Sequence, residues 1–368
     1  MEPIHPRDGC TLYHGDCLDV LRTLPDASVD AVVTDPPYFK VKSEAWDRQW
    51  QKPQEFLAWL GRHVEQWHRL LKPNGSLYCF ASPQMAARVE LLIAERFAVL
   101  NHIVWVKADK AGNGMYSRQG WDDKRAFFPQ TERIIFAEHY GADNVALGGS
   151  GYAAKCDELR GFVFEPLRKY LDDERKRAGF DFEMIRKAVG CAVGSGLPSH
   201  WFTRSQWMLP TRENYLKLRA AFNHNTDPHQ GEFLRKDYEE LRKDYEELRR
   251  PFAVSKDVPC TDVWTFATVG YYRGKHPCEK PVDMMRHIVC ASTRPGAVVL
   301  DPFLGSGSTG VACVLEGRQF IGVELSESYL AVARRRIAEA VPAGESPSRP
   351  SRPAQEQPGQ LLLWDAPA

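Results

Sequence analysis

The chain has 368 residues, and its content of 43% hydrophobic and 26% charged residues is typical of a soluble globular protein. Its 48 basic and 48 acidic residues give a net charge of zero, so any contact with nucleic acid needs local basic patches. The nine cysteines are scattered, which argues against disulfides or a metal site and predicts a cytoplasmic protein. No apolar run approaches the roughly 20 residues that span a bilayer, so we expect no membrane contact.

Residues 1–147 are predicted to form the first part of an α/β core. Strands are predicted at 29–34, 76–81, 103–106 and 134–137. After the first strand, apolar residues from Phe56 to Leu71 recur at helical spacing, and Pro73-Asn74-Gly75 is expected to end this helix.

Residues 257–342 are predicted to complete the same core. The predicted elements are a helix at 282–292, a strand at 297–300, a glycine-rich turn, a helix, a strand at 320–323 and a last helix ending near Ala340. Alternating strands and helices predict a Rossmann-like, mainly parallel sheet covered on both faces. Residues 343–368 are rich in Pro, Ser and Gln, which predicts a disordered tail.

The intervening residues 148–256 carry almost no strand signal and are predicted to form a helical insert. Helices are predicted at 164–177, at 181–189 and from Ser199 onward. The heptapeptide LRKDYEE then occurs twice in succession and gives an apolar stripe at Leu234, Tyr238, Leu241, Tyr245 and Leu248. Two heptads are too few for a coiled coil, so we expect a surface helix packed by this stripe.

The glycine-rich turn of the second core segment has the features of a nucleotide site. Gly305, Gly307 and Gly310 fit the G-x-G-x-x-G pattern, which also suits a dinucleotide. Asp301 precedes the turn, where its carboxylate could hold a ligand ammonium, and Glu324 could accept hydrogen bonds from ribose hydroxyls. An ammonium together with a ribose describes S-adenosylmethionine better than NAD. The predicted ligands of S-adenosylmethionine here are Asp301, Phe303, Gly305, Gly307 and Glu324.

A second motif, Asp35-Pro36-Pro37-Tyr38, directly follows the first predicted strand. Methylation of an aryl amine is hindered because the nitrogen lone pair is delocalised into the ring. The Asp35 carboxylate and the Pro36 carbonyl, held rigid by successive prolines, could accept hydrogen bonds from both amine protons and draw the nitrogen toward tetrahedral geometry. Tyr38 could stack on a base flipped out of the duplex. These four residues are the predicted catalytic site, and no metal is required.

The two motifs, in this order, resemble the β-type DNA amino-methyltransferases over residues 10–140 and 257–342. The family implies that Asp16, in His14-Gly15-Asp16-Cys17, contacts the cofactor adenine. It also implies that Lys280, in the HPxxKP element, lies near the cofactor carboxylate. Further landmarks are at 101–107, 131–133 and 262–264. The resemblance implies a seven-stranded mixed sheet, S-adenosylmethionine as cofactor, double-stranded DNA as substrate and base flipping.

Several methyl acceptors stay open at this point. The Asp-Pro-Pro-Tyr form favours the N6 amine of adenine by analogy, and the N4 amine of cytosine is the alternative. RNA and protein amines are also open, because the same turn can serve any planar amine. A cytosine-C5 enzyme would need a nucleophilic cysteine after proline. Pro259-Cys260 and Pro277-Cys278 have this order, but neither follows an apolar strand, so both cysteines are predicted to be packing residues.

Residues 164–222 resemble a helix-turn-helix with a supporting helix at 213–220, as in phage-type members of the family. Ser199 and His200 would start the recognition helix, and Arg204 and Gln206 would follow along it. Trp201 and Trp207 are assigned to the core of this region. A helical subdomain that only covers the catalytic core is the alternative. A non-catalytic DNA-binding regulator is the second functional class, although it leaves the cofactor motifs unexplained, and a homodimer is a further predicted assembly.

An apolar cluster, Gln360-Leu361-Leu362-Leu363-Trp364, lies in the otherwise polar tail. It resembles the Gln-Leu-x-Leu-Phe peptides by which bacterial replication proteins dock on the sliding clamp, with Trp364 in place of Phe. Docking on the protein's own surface is the alternative. The sliding clamp is therefore one predicted partner.

Overall fold

The computed structural model describes residues 2–108, 127, 130–138, 164–192, 196–203, 207–224, 232–248, 251–252, 261–272 and 275–341. Within these ranges, no helix is both long and apolar enough to cross a membrane. The predictions for Arg204, Gln206, Cys260 and the tail cluster at 360–364 lie outside the described residues.

One mixed β-sheet forms the centre of the fold. The described strands are β1 (Ile4–Arg7), β2 (Cys10–His14), β3 (Val29–Thr34), β4 (Leu71–Ala81), β5 (Ala98–Ala108), β6 (Thr131–Glu138), β7 (Val263–Ala267), β8 (Val298–Asp301) and β9 (Gln319–Glu324). They hydrogen-bond in the order β1-β2-β9-β8-β3-β4-β6-β5-β7. The run from β2 to β4 is parallel, whereas β6 is antiparallel to both of its neighbours. The predicted α/β fold is confirmed, and β1 and β7 extend the expected seven strands at the two edges.

Helices cover the sheet on both faces, and they also form the insert. The described helices are α1 (Cys17–Leu21), α2 (Ala45–Arg48), α3 (Pro53–Leu70), α4 (Ala86–Ala94), α5 (Glu165–Arg177), α6 (Phe182–Val189), α7 (Arg212–Asn223), α8 (Tyr238–Leu248), α9 (Val282–Ser292), α10 (Ser308–Leu315) and α11 (Glu327–Glu339). Helices α3 and α4 share one apolar core with Val32 of β3, and α9, α10 and α11 share the other core with Val33. Successive strand residues point to opposite faces, so β3 is buried on both sides.

Helix α3 ends at Leu70, close to the predicted position, but Pro73-Asn74-Gly75 belongs to β4. The register of β4 against β3 shifts over this stretch. A Cβ at Gly75 would lie 2.6 Å from the Leu71 side chain and 2.9 Å from the carbonyl oxygen of Asp30. The irregular stretch therefore packs so closely on β3 that it needs glycine.

The insert has an apolar core of its own. Buried members from its helices and turns are Leu167, Leu171, Ile185, Val189, Trp201, Trp207, Tyr215, Leu218, Phe222 and Leu241. The assignment of Trp201 and Trp207 to this core is confirmed. Leu234 precedes α8 instead of lying in it, and Tyr245 of α8 packs 4.8 Å from the Phe164 ring. The expected helix packed by one apolar stripe is confirmed for Tyr238, Leu241, Tyr245 and Leu248 but not for Leu234.

The predicted recognition helix starting at Ser199 is wrong. Residues Leu197–Trp201 form a short 3-10 turn, and the Ser199 hydroxyl donates to the carbonyl of Gly196 at 2.7 Å instead of capping an α-helix. The indole of Trp207 donates to the carbonyl of Trp201 at 3.0 Å, and both rings are buried. The amide of Met208 also donates to the carbonyl of His200 at 3.1 Å, a contact that a helix running on from Ser199 would not allow.

Candidate active site

Four neighbouring parallel strands end at one cavity. An acidic residue closes or follows the carboxyl end of each of β2, β9, β8 and β3: these are Asp16, Glu324, Asp301 and Asp35. The cavity between them has a volume of about 300 Å³. Ligands of open α/β sheets bind outside the carboxyl ends of the strands. The cavity is therefore the candidate active site.

The structure brings both sequence motifs to this cavity. The predicted site residues that line it are Asp16, Asp35, Pro36, Pro37, Tyr38, Lys280, Asp301, Phe303, Gly305 and Glu324. Gly307 is not among the lining residues. It precedes α10 with a φ of 78°, and a Cβ there would lie 2.9 Å from the Cβ of Ala333 in α11. The structure thus gives Gly307 a packing role, since only glycine permits this conformation and this close approach of α11.

Asp301 is the last residue of β8 and is buried. Its Oδ2 accepts a hydrogen bond from the Thr309 hydroxyl at 2.7 Å, and its Oδ1 accepts one from the Phe303 amide at 3.2 Å. Burial raises the pKa of Asp301 to about 7, because these two hydrogen bonds only partly offset the loss of hydration. A buried carboxylate whose hydrogen-bond partners are all neutral is stabilised when it binds a ligand cation.

Glu324 and Asp16 are both engaged with the backbone while they line the cavity. The Glu324 carboxylate accepts hydrogen bonds from the amide of Gly305 at 2.7 Å and the amide of Ser326 at 2.9 Å. Asp16 caps α1 by accepting from the amide of Leu18 at 2.8 Å. A carboxylate oxygen has two lone pairs, so each group can still accept a hydrogen bond from a ligand hydroxyl or amine.

Lys280 forms a buried ion pair with Asp35. Its Nζ donates to Asp35 Oδ2 and lies 3.4 Å from Glu132 Oε2. Burial lowers the pKa of Lys280, but the two carboxylates outweigh this effect and raise the pKa above its ordinary value. The resemblance implied a place near the cofactor carboxylate for Lys280, and this stays a prediction. A buried ammonium packed against the rings of Tyr38 and Phe80 needs anionic partners, and Asp35 is the nearest one.

The other carboxylate oxygen of Asp35, Oδ1, is buried and has no hydrogen-bond partner among the described residues. Burial raises the pKa of Asp35, and the adjacent Lys280 ammonium opposes this shift. Buried acceptors in proteins are almost always paired. Because Asp35 lines the cavity, a ligand N–H is a candidate for the missing partner of this oxygen.

Tyr38 is held at its backbone and at its hydroxyl. Its amide donates to the buried carboxylate of Asp47 at 2.6 Å, and its hydroxyl donates to Glu132 at 2.9 Å. The two residues that follow, Phe39 and Lys40, have φ values of 64° and 63°, in the left-handed region that is costly for side chains other than glycine. The sequence did not identify Asp47 or Glu132 as part of this site.

Two aromatic side chains of α3 also line the cavity, and the sequence did not identify them as site residues. The rings of Trp59 and His63 lie 5.5 Å and 5.3 Å from the ring of Phe303, and all three residues line the cavity. Burial lowers the pKa of His63 to about 4, so its ring is neutral. Trp59 and His63 are four residues apart on one helix, and this spacing was the available signal. Their flat faces suit an aromatic ligand.

The predicted DNA-recognition residues are not brought to the cavity. Ser199 and His200 lie in the 3-10 turn of the insert, half-buried, and neither lines the cavity. The structure therefore unites the two chemical motifs and leaves the insert residues apart from them.

The chain is similar to known DNA methyltransferases. A family model described as DNA methylase, of the N6 and N4 type, matches residues 29–335. DNA adenine methyltransferase YhdJ of Escherichia coli K12 is 27% identical over 335 residues, which cover 89% of this chain and 82% of the relative. Type II methyltransferase M2.DpnII of Streptococcus pneumoniae is 24% identical over 360 residues, covering 91% and 92%. The solved structure of PvuII DNA methyltransferase (cytosine-N4-specific) has a TM-score of 0.48 at 14% identity and covers 89% of this chain and 86% of its own.

The family match spans more than half of the chain and includes both the Asp-Pro-Pro-Tyr turn and the glycine-rich turn. An enzymatic function accounts for both motifs, whereas a non-catalytic regulator leaves the cofactor motif unexplained. The chain belongs to the DNA methylase family of the N6 and N4 type, and it is a DNA methyltransferase with S-adenosylmethionine as its cofactor.

Proposed function

We propose that the chain transfers the methyl group of S-adenosylmethionine to the exocyclic N6 amine of adenine in double-stranded DNA. The observation that carries this proposal is that Asp35 lines the cavity and that its buried Oδ1 has no hydrogen-bond partner among the described residues. An aryl amine donates two hydrogen bonds, and Oδ1 together with the carbonyl of Pro36 would accept both. The name of the E. coli relative, an adenine methyltransferase, favours adenine over cytosine.

The target base would be flipped out of the duplex and would stack on Tyr38. Because Asp47 and Glu132 fix both ends of Tyr38, the ring needs little rearrangement when the base arrives. The Lys280 ammonium binds Oδ2 of Asp35 and leaves Oδ1 free of that contact. The amine of the base stacked on Tyr38 would then lie at Oδ1. In this arrangement Asp35 and Pro36 orient the amine toward the methyl donor.

The cofactor would occupy the part of the cavity at the ends of β8 and β9. Asp301 would bind its ammonium, Glu324 its ribose hydroxyls, and Asp16 its adenine amine. The rings of Phe303, Trp59 and His63 would contact the adenine. Since Lys280 is paired with Asp35, the cofactor carboxylate would instead face the backbone amides at the start of α10, where the helix dipole favours an anion.

We further propose that residues 148–256 recognise the DNA sequence, while 1–147 and 257–342 together form the catalytic core. The separate apolar core of the insert supports this division, because a region with its own core can present a surface without disturbing the cavity. Ser199, His200, Arg204 and Gln206 stay candidate DNA contacts, although the recognition helix from which they were inferred is wrong.

The modified nucleoside identifies the target base directly. The purified protein is incubated with unmethylated double-stranded DNA and methyl-labelled S-adenosylmethionine, and the DNA is digested to nucleosides for mass spectrometry. We expect the label in N6-methyldeoxyadenosine. Label in N4-methyldeoxycytidine would instead assign the enzyme to cytosine.

A further inference from the structure

A buried carboxylate on β6 connects the side chains that surround Asp35. Glu132 does not line the cavity, yet its Oε2 accepts from the Tyr38 hydroxyl at 2.9 Å and lies 3.4 Å from Nζ of Lys280. Its Oε1 pairs with Lys107 at 2.6 Å. Burial raises the pKa of Glu132, but the two lysines outweigh burial and lower this pKa to about 2. Glu132 is therefore ionised, and it faces two cations and one hydroxyl.

Lys280 is the link between Glu132 and the proposed target-amine site. Its Nζ donates to Oδ2 of Asp35 and to the carbonyl of Cys278 at 3.5 Å. The Glu132 carboxylate attracts the same ammonium from 3.4 Å. An ammonium bound by one carboxylate alone can move across it and contact both oxygens. In that position it would occupy Oδ1, the acceptor that the target amine needs.

We propose that Glu132 is a positioning residue for methyl transfer. By binding Lys280 and Tyr38 through the same oxygen, it keeps the ammonium on Oδ2 of Asp35 and leaves Oδ1 to the target amine. Glu132 acts only through these two side chains and touches neither DNA nor cofactor. The inference rests on the proposed function, specifically on the role of Asp35.

A pair of substitutions separates the charge of Glu132 from its packing. In Glu132→Gln the side chain keeps its shape and can still accept from Tyr38, but it loses the negative charge that attracts Lys280. In Glu132→Asp the charge is kept and the side chain is shortened. We expect the single-turnover methyl-transfer rate at saturating DNA and cofactor to fall by about 10- to 100-fold in Glu132→Gln and by clearly less in Glu132→Asp. Cofactor affinity, measured by calorimetry, should stay within about twofold in both variants.

A double variant tests whether the methyl-transfer rate falls only because Lys107 is left without its carboxylate partner. Glu132→Gln with Lys107→Met removes both partners of the outer ion pair and so avoids leaving a partly buried charge unpaired. We expect this protein to fold and to keep the rate loss of Glu132→Gln, because Lys280 still lacks its second carboxylate. The matched control is Glu90→Gln, which removes a half-buried carboxylate paired with His102 at 2.7 Å and should leave the rate unchanged.

Three results would overturn the proposal: a Glu132→Gln rate within about twofold of wild type, a Glu132→Asp rate as low as that of Glu132→Gln, or full recovery in the double variant. If Glu132→Gln does not fold, the double variant and Glu132→Asp still give the comparison. If the proposed role of Asp35 is wrong, Asp35→Ala keeps its activity whatever the behaviour of the Glu132 variants; the target base is tested separately by the modified nucleoside.

Discussion

Protonation of a single residue, Asp301, should control cofactor binding. Burial raises the pKa of this carboxyl to about 7. Its proposed partner is an ammonium, which binds the carboxylate and not the neutral acid. Below this pKa the Asp301 carboxyl of the empty site is protonated. Each further unit by which the pH falls should therefore weaken S-adenosylmethionine binding by up to about tenfold. Calorimetry between about pH 5.5 and pH 7.5 measures this slope.

The variant Asp301→Asn provides the control for this pH dependence. It should bind the cofactor more weakly by roughly one to two decades at neutral pH, because a charge-assisted hydrogen bond is lost. It should also lose the acid slope. A wild-type affinity that does not change across this pH range would contradict the assignment of Asp301.

Glu324 should contribute to cofactor affinity more than to the chemical step. Replacing it with alanine removes the proposed acceptor of the ribose hydroxyls and also frees the amides of Gly305 and Ser326. We expect Glu324→Ala to weaken cofactor binding by roughly 10- to 100-fold, with the methyl-transfer rate at saturating cofactor much less affected. An unchanged dissociation constant would remove Glu324 from the cofactor site.

At the scale of elements, the sequence predicted the helices and strands whose boundaries depend on short-range patterns of apolar residues. The apolar run of β3 and the helical spacing of α9 gave the observed boundaries, 29–34 and 282–292. The turn at Leu197–Trp201 was mispredicted because its conformation depends on where Trp201 and Trp207 are buried, and burial is a tertiary property. The edge strands β1 and β7 are short, and β7 has an exposed first residue, so neither gave a clear alternating pattern.

The insert should affect the choice of DNA site and leave cofactor binding intact. The combined variant His200→Ala with Arg204→Ala is expected to weaken or broaden site choice, since it removes two candidate donors to DNA. Loss of base contacts would change the relative rates on different sites, whereas loss of phosphate contacts would lower all rates alike and reduce the salt dependence. Rates on a panel of DNA sites, with calorimetry for the cofactor, separate these outcomes. Methylation of the same sites at the same rate would make these residues structural.

At the scale of the whole molecule, the motif order predicted which segments build the core, but contacts between the segments could not be predicted. Lys280 and Asp35 are 245 residues apart in the chain and form an ion pair beside the cavity. Periodicity tells which face of an element is buried, and it does not identify the neighbour on that face. For the same reason the sequence identified Asp35 and Asp301 but gave no role to Trp59 and His63, and it marked Glu132 only as part of the family landmark at 131–133.

The tail cluster at 360–364 lies outside the described residues, and its predicted partner is the sliding clamp. A tethered docking peptide would raise the local concentration of the enzyme near newly made DNA. In a pull-down with purified clamp, we expect the full-length protein to bind and a chain that ends at Gly359 not to bind. Absence of binding by the full-length protein at tens of micromolar would rule out this partner.

The central claim, that Asp35 accepts the target amine, is tested most directly by measuring two properties of Asp35→Ala in one preparation. Lys280 keeps Glu132 as a partner in this variant, so the fold should tolerate the change. We predict that methyl transfer to DNA falls by about 100-fold or more, while the dissociation constant of S-adenosylmethionine stays within about twofold of wild type. A variant that retains more than half of the wild-type methyl-transfer rate would contradict the account.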